Sequence, residues 1–212
     1  MEIKRLDLGH LFIRKEQWPV HGYVILHDRL GVVLVDTGCG GPDEVLRYFE
    51  VVNRTVADAL ADHDLAPIDV NLVINTHLHF DHCGQNPAFE HAPLMVQRTE
   101  HERMLRERDE VTEWIEASGM QFELIDGSTE LADDLRIVTS PGHTSGHQSV
   151  VATTELGIEL FIGDAAYTRR IYESSGMGNL PDGQAADLDA WRGTLTDLKA
   201  LEPQRLHFCH EG

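Results

Sequence analysis

Residues 76–84 read Thr76-His77-Leu78-His79-Phe80-Asp81-His82-Cys83-Gly84, and the reading of this stretch decides the fold. Three imidazoles and one carboxylate fall within six positions. In an extended chain alternate side chains leave the same face, so His77 and His79 converge on one point. Asp81 keeps that parity, whereas His82 points the other way unless the chain turns, and Gly84 permits a turn. Asp81 and His82 then serve a second ion beside the first. Imidazole and carboxylate suit zinc or a neighbouring first-row divalent cation.

Working outward, Val70-Asn71-Leu72-Val73-Ile74-Asn75 reads as a buried strand that delivers the histidine loop at its carboxyl end, where open sheets commonly hold ligands. Upstream, Gly22–His27 and Gly31–Asp36 are β-branched runs separated by a turn at 28–31. The second run ends in Asp36-Thr37-Gly38. Asp36 is read two ways, as a hydrogen-bond partner for the histidine loop or as a turn former. Thr55 has the character of an N-cap before Val56, Ala59, Leu60 and His63, and Pro67 closes that segment. Thr99 and Glu102 have capping-box spacing for a charged helix to about Ser118. Its stripe is Met104, Val111, Trp114 and Ile115, and its charges are read as a solvated face.

Three later apolar runs repeat the delivery pattern. Leu135–Val138 leads to His143, Gly157–Gly163 to Asp164, and Arg205–Cys209 to His210. The run into Asp164 echoes the run into Asp36 and hints at a duplicated half-domain. Between them a last helix carries Leu188, Trp191, Leu195 and Leu198 on one face, ended by Pro203. His143, Asp164 and His210 complete the first cluster into a set for two metal ions.

The 212 residues fit one domain, 1–212, with 42% apolar and 25% charged residues, the profile of a soluble globular chain. No apolar run approaches a membrane span, and the N-terminus lacks a signal peptide's apolar stretch, so a cytoplasmic location is expected. A formal charge of -19 repels phosphate backbones and anionic lipid, which argues against nucleic-acid and membrane partners. Cys39, Cys83 and Cys209 are expected to be reduced, and histidine and aspartate fill the ligand set without them.

His77-x-His79-x-Asp81-His82, followed in order by His143, Asp164 and His210, resembles the metallo-β-lactamase superfamily over nearly the whole chain. The resemblance implies an α+β fold, a four-layer αββα sandwich of two packed sheets with helices outside. It also implies that His77, His79 and His143 hold one ion and Asp81, His82 and His210 another, both expected to be Zn2+. Asp164 would bridge them together with a hydroxide. The flanks Pro141-Gly142-His143-Thr144-Ser145-Gly146-His147-Gln148-Ser149 and Asp164-Ala165-Ala166-Tyr167 are similar to those of N-acyl homoserine lactonases. That similarity implies a small-molecule lactone substrate opened by the bridging hydroxide. It puts Tyr167 at the substrate carbonyl and Phe80 beside the acyl chain, the latter weighed against a plain core phenylalanine. Asp81 is read as the group that carries the proton to the leaving alkoxide.

Ser145 stands where many relatives carry proline. The chain ends two residues after His210, which is expected to leave that ligand lightly anchored. Three other readings accompany the lactonase one: a glyoxalase-II-like thioesterase or other ester hydrolase with the same ligands, a di-iron redox protein, and a non-catalytic metal scaffold. The redox reading is weakened by His79 where such relatives favour glutamate, and the thioesterase reading leaves Tyr167 without a task.

Overall fold

The computed structural model describes the chain except for residues 109, 110, 178 and 179. One sheet is built from β1 (Glu2–Ile13), β2 (Glu16–His27), β3 (Gly31–Val35), β4 (Val52–Asn53), β5 (Val70–Ile74), β6 (Leu94–Gln97) and β7 (Phe122–Ile125). Their order is β4-β1-β2-β3-β5-β6-β7. The other contains β8 (Thr129–Ala132), β9 (Leu135–Thr139), β10 (Gln148–Thr154), β11 (Gly157–Gly163) and β12 (Arg205–Phe208), in the order β12-β11-β10-β9-β8.

Strand parity makes the layers. On β3, Val33 and Val35 enter the seam between the sheets with Ile137, Val150 and Phe161 of the second sheet, while Leu34 faces the other way. That outer face is covered by α1 (Asp43–Tyr48), α2 (Val56–Ala61), α3 (Phe80–Cys83), α4 (Arg98–Glu107) and α5 (Thr112–Ser118). On β11, Phe161 enters the seam, and Leu160 and Ile162 pack outward against α6 (Arg169–Ser174) and α7 (Leu188–Ala200). Strands apolar on both faces are what a four-layer sandwich requires, and each fully buried Leu, Ile or Phe contributes about 1.5–3 kcal/mol. This is the expected αββα arrangement.

The echo between the two aspartate-ending runs has a topological counterpart. β3 pairs antiparallel with β2 and parallel with β5. β11 pairs antiparallel with β10 and parallel with β12. Both strands therefore sit inside their sheets and release an aspartate at the same edge of the fold.

Several expectations are corrected. The run from Gly22 is the second half of a longer strand that starts at Glu16. In β1 the apolar alternation of Leu6, Leu8 and Leu11 is broken by an irregularity between Asp7 and His10, with Gly9 at φ +103°. The charged helix starts at Arg98 with Gln97 as its uncapped N-cap. The Gln97 side chain is instead bound to Gly127 and Gln148, so Thr99 falls inside the helix and no capping box forms. That helix ends where Arg108 turns left-handed at φ 47°, and α5 begins at Thr112; positions 109 and 110 lie outside the described residues. Pro67 opens a 3-10 turn after α2 has already ended. Leu188 is 46% exposed, because the buried face of α7 runs through Trp191, Thr194, Leu195 and Leu198. Among the described residues, no helix is long and apolar enough to cross a membrane.

Candidate metal centre

The histidine loop leaves β5, and His79, extended at φ -82°, ψ 156°, N-caps the single turn of α3. Asp81 and His82 therefore sit on a helical turn, and it is this turn, not Gly84, that swings His82 towards the others. Gly84 is right-handed (φ -63°) and serves a different need. A Cβ on it would lie 1.8 Å from Gly40 N, and its own N–H donates to Gly38 O at 2.9 Å. The loop after β3 and the loop after β5 thus cross backbone to backbone. Gly84→Ala is expected to force them apart at a cost of about 1–3 kcal/mol, read as a lowered Tm; an unchanged Tm would show that the crossing is not needed.

The seven candidate ligands come together at the strand ends. His77 Nε2, His79 Nδ1 and His143 Nε2 form a triangle with sides of 2.9, 3.1 and 3.1 Å. Asp164 Oδ2 lies 3.3 Å from His143 Nε2 and 3.8 Å from His77 Nε2. Its other oxygen, Oδ1, lies 3.3 Å from both His82 Nε2 and His210 Nε2. Asp81 Oδ2 closes that second group at 3.8 Å from His82 Nε2 and 3.6 Å from His210 Nε2. One carboxylate thus faces two ligand groups, one oxygen to each.

The donor set fits divalent cations on its own chemistry. Ligands at about 2.1 Å around a tetrahedral ion stand roughly 3.4 Å apart, a few tenths of an ångström beyond the triangle's sides. His82 Nε2 and Asp164 Oδ1 are buried without a hydrogen-bond partner, which costs about 1–3 kcal/mol apiece unless a cation lies between them. The outer nitrogens tell the same story. His82 Nδ1 donates to Asp36 Oδ2 at 2.8 Å, His210 Nδ1 to Pro19 O at 2.8 Å, and His143 Nδ1 to Gln184 O at 3.3 Å. Thr76 Oγ1 donates to Asp36 Oδ2 at 2.8 Å and so accepts from His77 Nδ1 at 3.1 Å. In each ring the proton is held outside and the Nε2 lone pair faces inward, the tautomer a metal ligand needs.

Electrostatics divide the histidines. Burial pushes His77 well below the usual imidazole range, helped by His82, His79 and His143. Burial likewise lowers His79 and brings His143 down to about 4. Neutral rings are ready to coordinate without releasing a proton. At His82 and His210 burial also acts downward, but Asp164 heads the carboxylates that hold both pKa values up. Burial opposes ionisation of Asp164, yet His82, His210 and His143 keep it well below the usual carboxylate range. A cation bound there would supply that positive charge in place of ring protons, leaving both Nε2 lone pairs free to coordinate.

Both readings of Asp36 apply. It is left-handed at φ 58° and buried, and its carboxylate accepts from Thr76 N, Thr76 Oγ1 and His82 Nδ1, each at 2.8 Å. His210 is firmly held despite its place near the chain end: besides the Pro19 bond, His21 N donates to Cys209 O at 2.9 Å. The three cysteines are buried, with Cys209 Sγ 3.8 Å from Asp36 Oδ2.

Four further residues support the site. His147, within the Pro141–Ser149 motif, accepts Asp164 N–H at 2.9 Å and pairs through Nδ1 with Ser140 Oγ at 2.8 Å. Burial keeps it neutral, its pKa pushed down to about 3. Glu100 and Arg103 belong to the face of α4 read as solvated, yet both are buried. Glu100 Oε1 accepts from Leu78 N at 3.1 Å, between the first two histidines, and from Arg103 Nη2 at 2.8 Å. Charge alone gave the wrong sign there; the i,i+3 pairing was the available signal. Gln184 is the fourth, and nothing around it in sequence points to a site.

The cluster forms the floor of a cleft of about 670 Å³ whose walls include Leu11, Ile13, Trp18, Phe49 and Phe80. Phe80 stacks on Phe49 at 4.8 Å, so it is both core and cleft wall. Tyr167 lines the same cleft, its ring 5.4 Å from that of His210 and 5.7 Å from that of His143.

A family model described as the metallo-beta-lactamase superfamily matches residues 16–210. The N-acyl homoserine lactonase AiiA of Bacillus thuringiensis subsp. kurstaki is 32% identical over 171 residues, covering 73% of this chain and 67% of that one. Among solved structures, a quorum-quenching N-acyl homoserine lactone lactonase superposes with a TM-score of 0.83 at 26% identity, covering 98% and 91% of the two chains. An N-acyl homoserine lactone hydrolase with N-hexanoyl-L-homoserine bound at its catalytic metal centre gives a TM-score of 0.81 at 25% identity, covering 98% and 92%.

Proposed function

The chain belongs to the metallo-β-lactamase superfamily, and on that premise we propose that it opens the lactone ring of N-acyl homoserine lactones, using two zinc ions. It is a metal-dependent hydrolase acting on ester bonds. What supports the lactone reading most is Tyr167 at the floor of an apolar cleft, beside the ligand cluster, in a chain 32% identical to a lactonase.

His77, His79 and His143 would hold one ion, Asp81, His82 and His210 the other, and Asp164 both. Bound there, the ions supply Lewis acidity at the ester carbonyl and acidify water into a nucleophile near neutral pH. The residues of the chain do the rest. Burial, with Asp164 and Asp81 nearby, pushes the Tyr167 hydroxyl well above its ordinary pKa, so it stays protonated and can donate to the carbonyl oxygen as negative charge develops. The ester C–O bond breaks, and Asp81 passes the proton of the attacking water to the leaving ring oxygen. Phe80, Phe49 and Leu11 offer apolar surface to an acyl chain and exclude water. The substrate is neutral and the product a carboxylate, which a chain of net charge -19 repels.

Elemental analysis of the purified protein, followed by a pH-drop assay on acyl homoserine lactones with thioesters as control, tests the reading. Lactone turnover above thioester turnover is expected, and preference for thioesters would overturn it in favour of the glyoxalase-II-like alternative. Tyr167→Phe should slow ring opening by about ten- to a hundredfold, somewhat less than a whole oxyanion donor contributes; an unchanged rate would strip Tyr167 of this role.

A further inference from the structure

β11 ends in a turn closed by Ala165 N donating to Ile162 O at 3.3 Å, and the segment from Asp164 to Tyr167 runs on from it without regular structure. It carries a candidate bridging ligand at one end and the candidate oxyanion donor at the other. A four-residue reversal often closes with a bond from the last N–H to the first C=O. Among the described residues no such backbone bond is made here. The side-chain amide of Gln184 stands in its place. Gln184 Nε2 donates to Asp164 O at 2.8 Å, and Gln184 Oε1 accepts from Tyr167 N at 3.2 Å. The residue is only 1% exposed, and its own carbonyl accepts from His143 Nδ1.

We propose that Gln184 is a positioning residue whose inserted amide sets the spacing of Tyr167 from Asp164, and thereby aims the Tyr167 hydroxyl at the substrate carbonyl. This rests on the lactonase reading of the site. An amide inserted between the two ends lengthens the turn by one hydrogen-bonded link. Without it the turn closes on itself or takes in water, and Tyr167 shifts relative to the ligand cluster. Two features hold Gln184 in register. Ala186 N and Asp187 N both donate to Gly142 O, at 2.8 and 3.0 Å, tying its loop to the segment that carries His143. Gly183, at φ 78°, lies against the Tyr167 hydroxyl, where a Cβ would come within 3.3 Å.

The test is a double-mutant cycle on the metal-loaded protein with N-hexanoyl homoserine lactone. Gln184→Met keeps the length and removes the amide. It is expected to lower kcat by about tenfold with KM and metal content within about twofold of the parent. Added to Tyr167→Phe, it should cost less than about twofold more, because its effect passes through that hydroxyl. Amide hydrogen exchange of the peptide covering 164–168 should speed up in Gln184→Met. Equal losses in both backgrounds, a parental kcat, or unchanged exchange would each overturn the proposal. Should Gln184→Met fail to fold, Gln184→Ala carries the same expectations. A parent inert towards lactones would sink the lactonase reading alone, and the exchange measurement would still decide the role of Gln184.

Discussion

Replacing His79 with alanine is expected to abolish ester hydrolysis, by at least about a thousandfold, while leaving the fold intact. The reason lies in where the ring stands. His79 N-caps α3 with its backbone, which alanine retains, and its side chain is only part-buried at the floor of an open cleft. Deleting it exposes little apolar core, so Tm should move by a few degrees at most. The loss falls on coordination. The triangle of His77, His79 and His143 is reduced to two nitrogens, and a site that supplies several kcal/mol of transition-state stabilisation loses its geometry. Metal content should drop by one ion per chain. Activity, elemental analysis and circular dichroism read the three effects separately, and retention of a tenth of parental activity would count against the whole scheme.

The second large effect is expected at a residue that would touch no ion. Asp36→Asn keeps a side chain that tolerates the left-handed backbone at φ 58°, yet should lower metal affinity and turnover by about ten- to a hundredfold. The carboxylate accepts three hydrogen bonds, from Thr76 N, Thr76 Oγ1 and His82 Nδ1. An amide has one accepting oxygen and turns its NH2 towards a donor. Relief comes most readily by moving the His82 proton to Nε2, the nitrogen that faces Asp164 Oδ1 at 3.3 Å. That removes the lone pair a metal would use. Asp36→Ala should show the same metal defect with added loss of stability, since alanine leaves three buried donors without an acceptor and strains the left-handed position. Full metal occupancy of Asp36→Asn at stoichiometric zinc would mean that the tautomer is fixed by something else.

Much of this site was legible without coordinates, because ligand chemistry is carried by residue type and delivery by strand ends. His77, His79, Asp81 and His82 are local in sequence, and His143, Asp164 and His210 each follow an apolar run. Where the reading went astray, a local rule was overridden by a distant contact. Gln97 is claimed by Gly127 and Gln148, so the helix starts before Thr99. Glu100 is claimed by Leu78, so a charged residue is buried. Leu188 fits the helical spacing, yet the buried face of α7 passes it by.

The sequence by itself determined which atoms are able to ligate, their order along the chain, and the doubly apolar strands that make a four-layer sandwich. Tertiary structure alone decided which nitrogen of each ring faces inward and how the turn at Tyr167 is held open. Those choices depend on Asp36, Pro19 and Gln184, lying 46, 191 and 41 residues from the histidines they bind. A proton goes to whichever ring nitrogen finds an acceptor, and an acceptor that far along the chain leaves no mark on the local pattern.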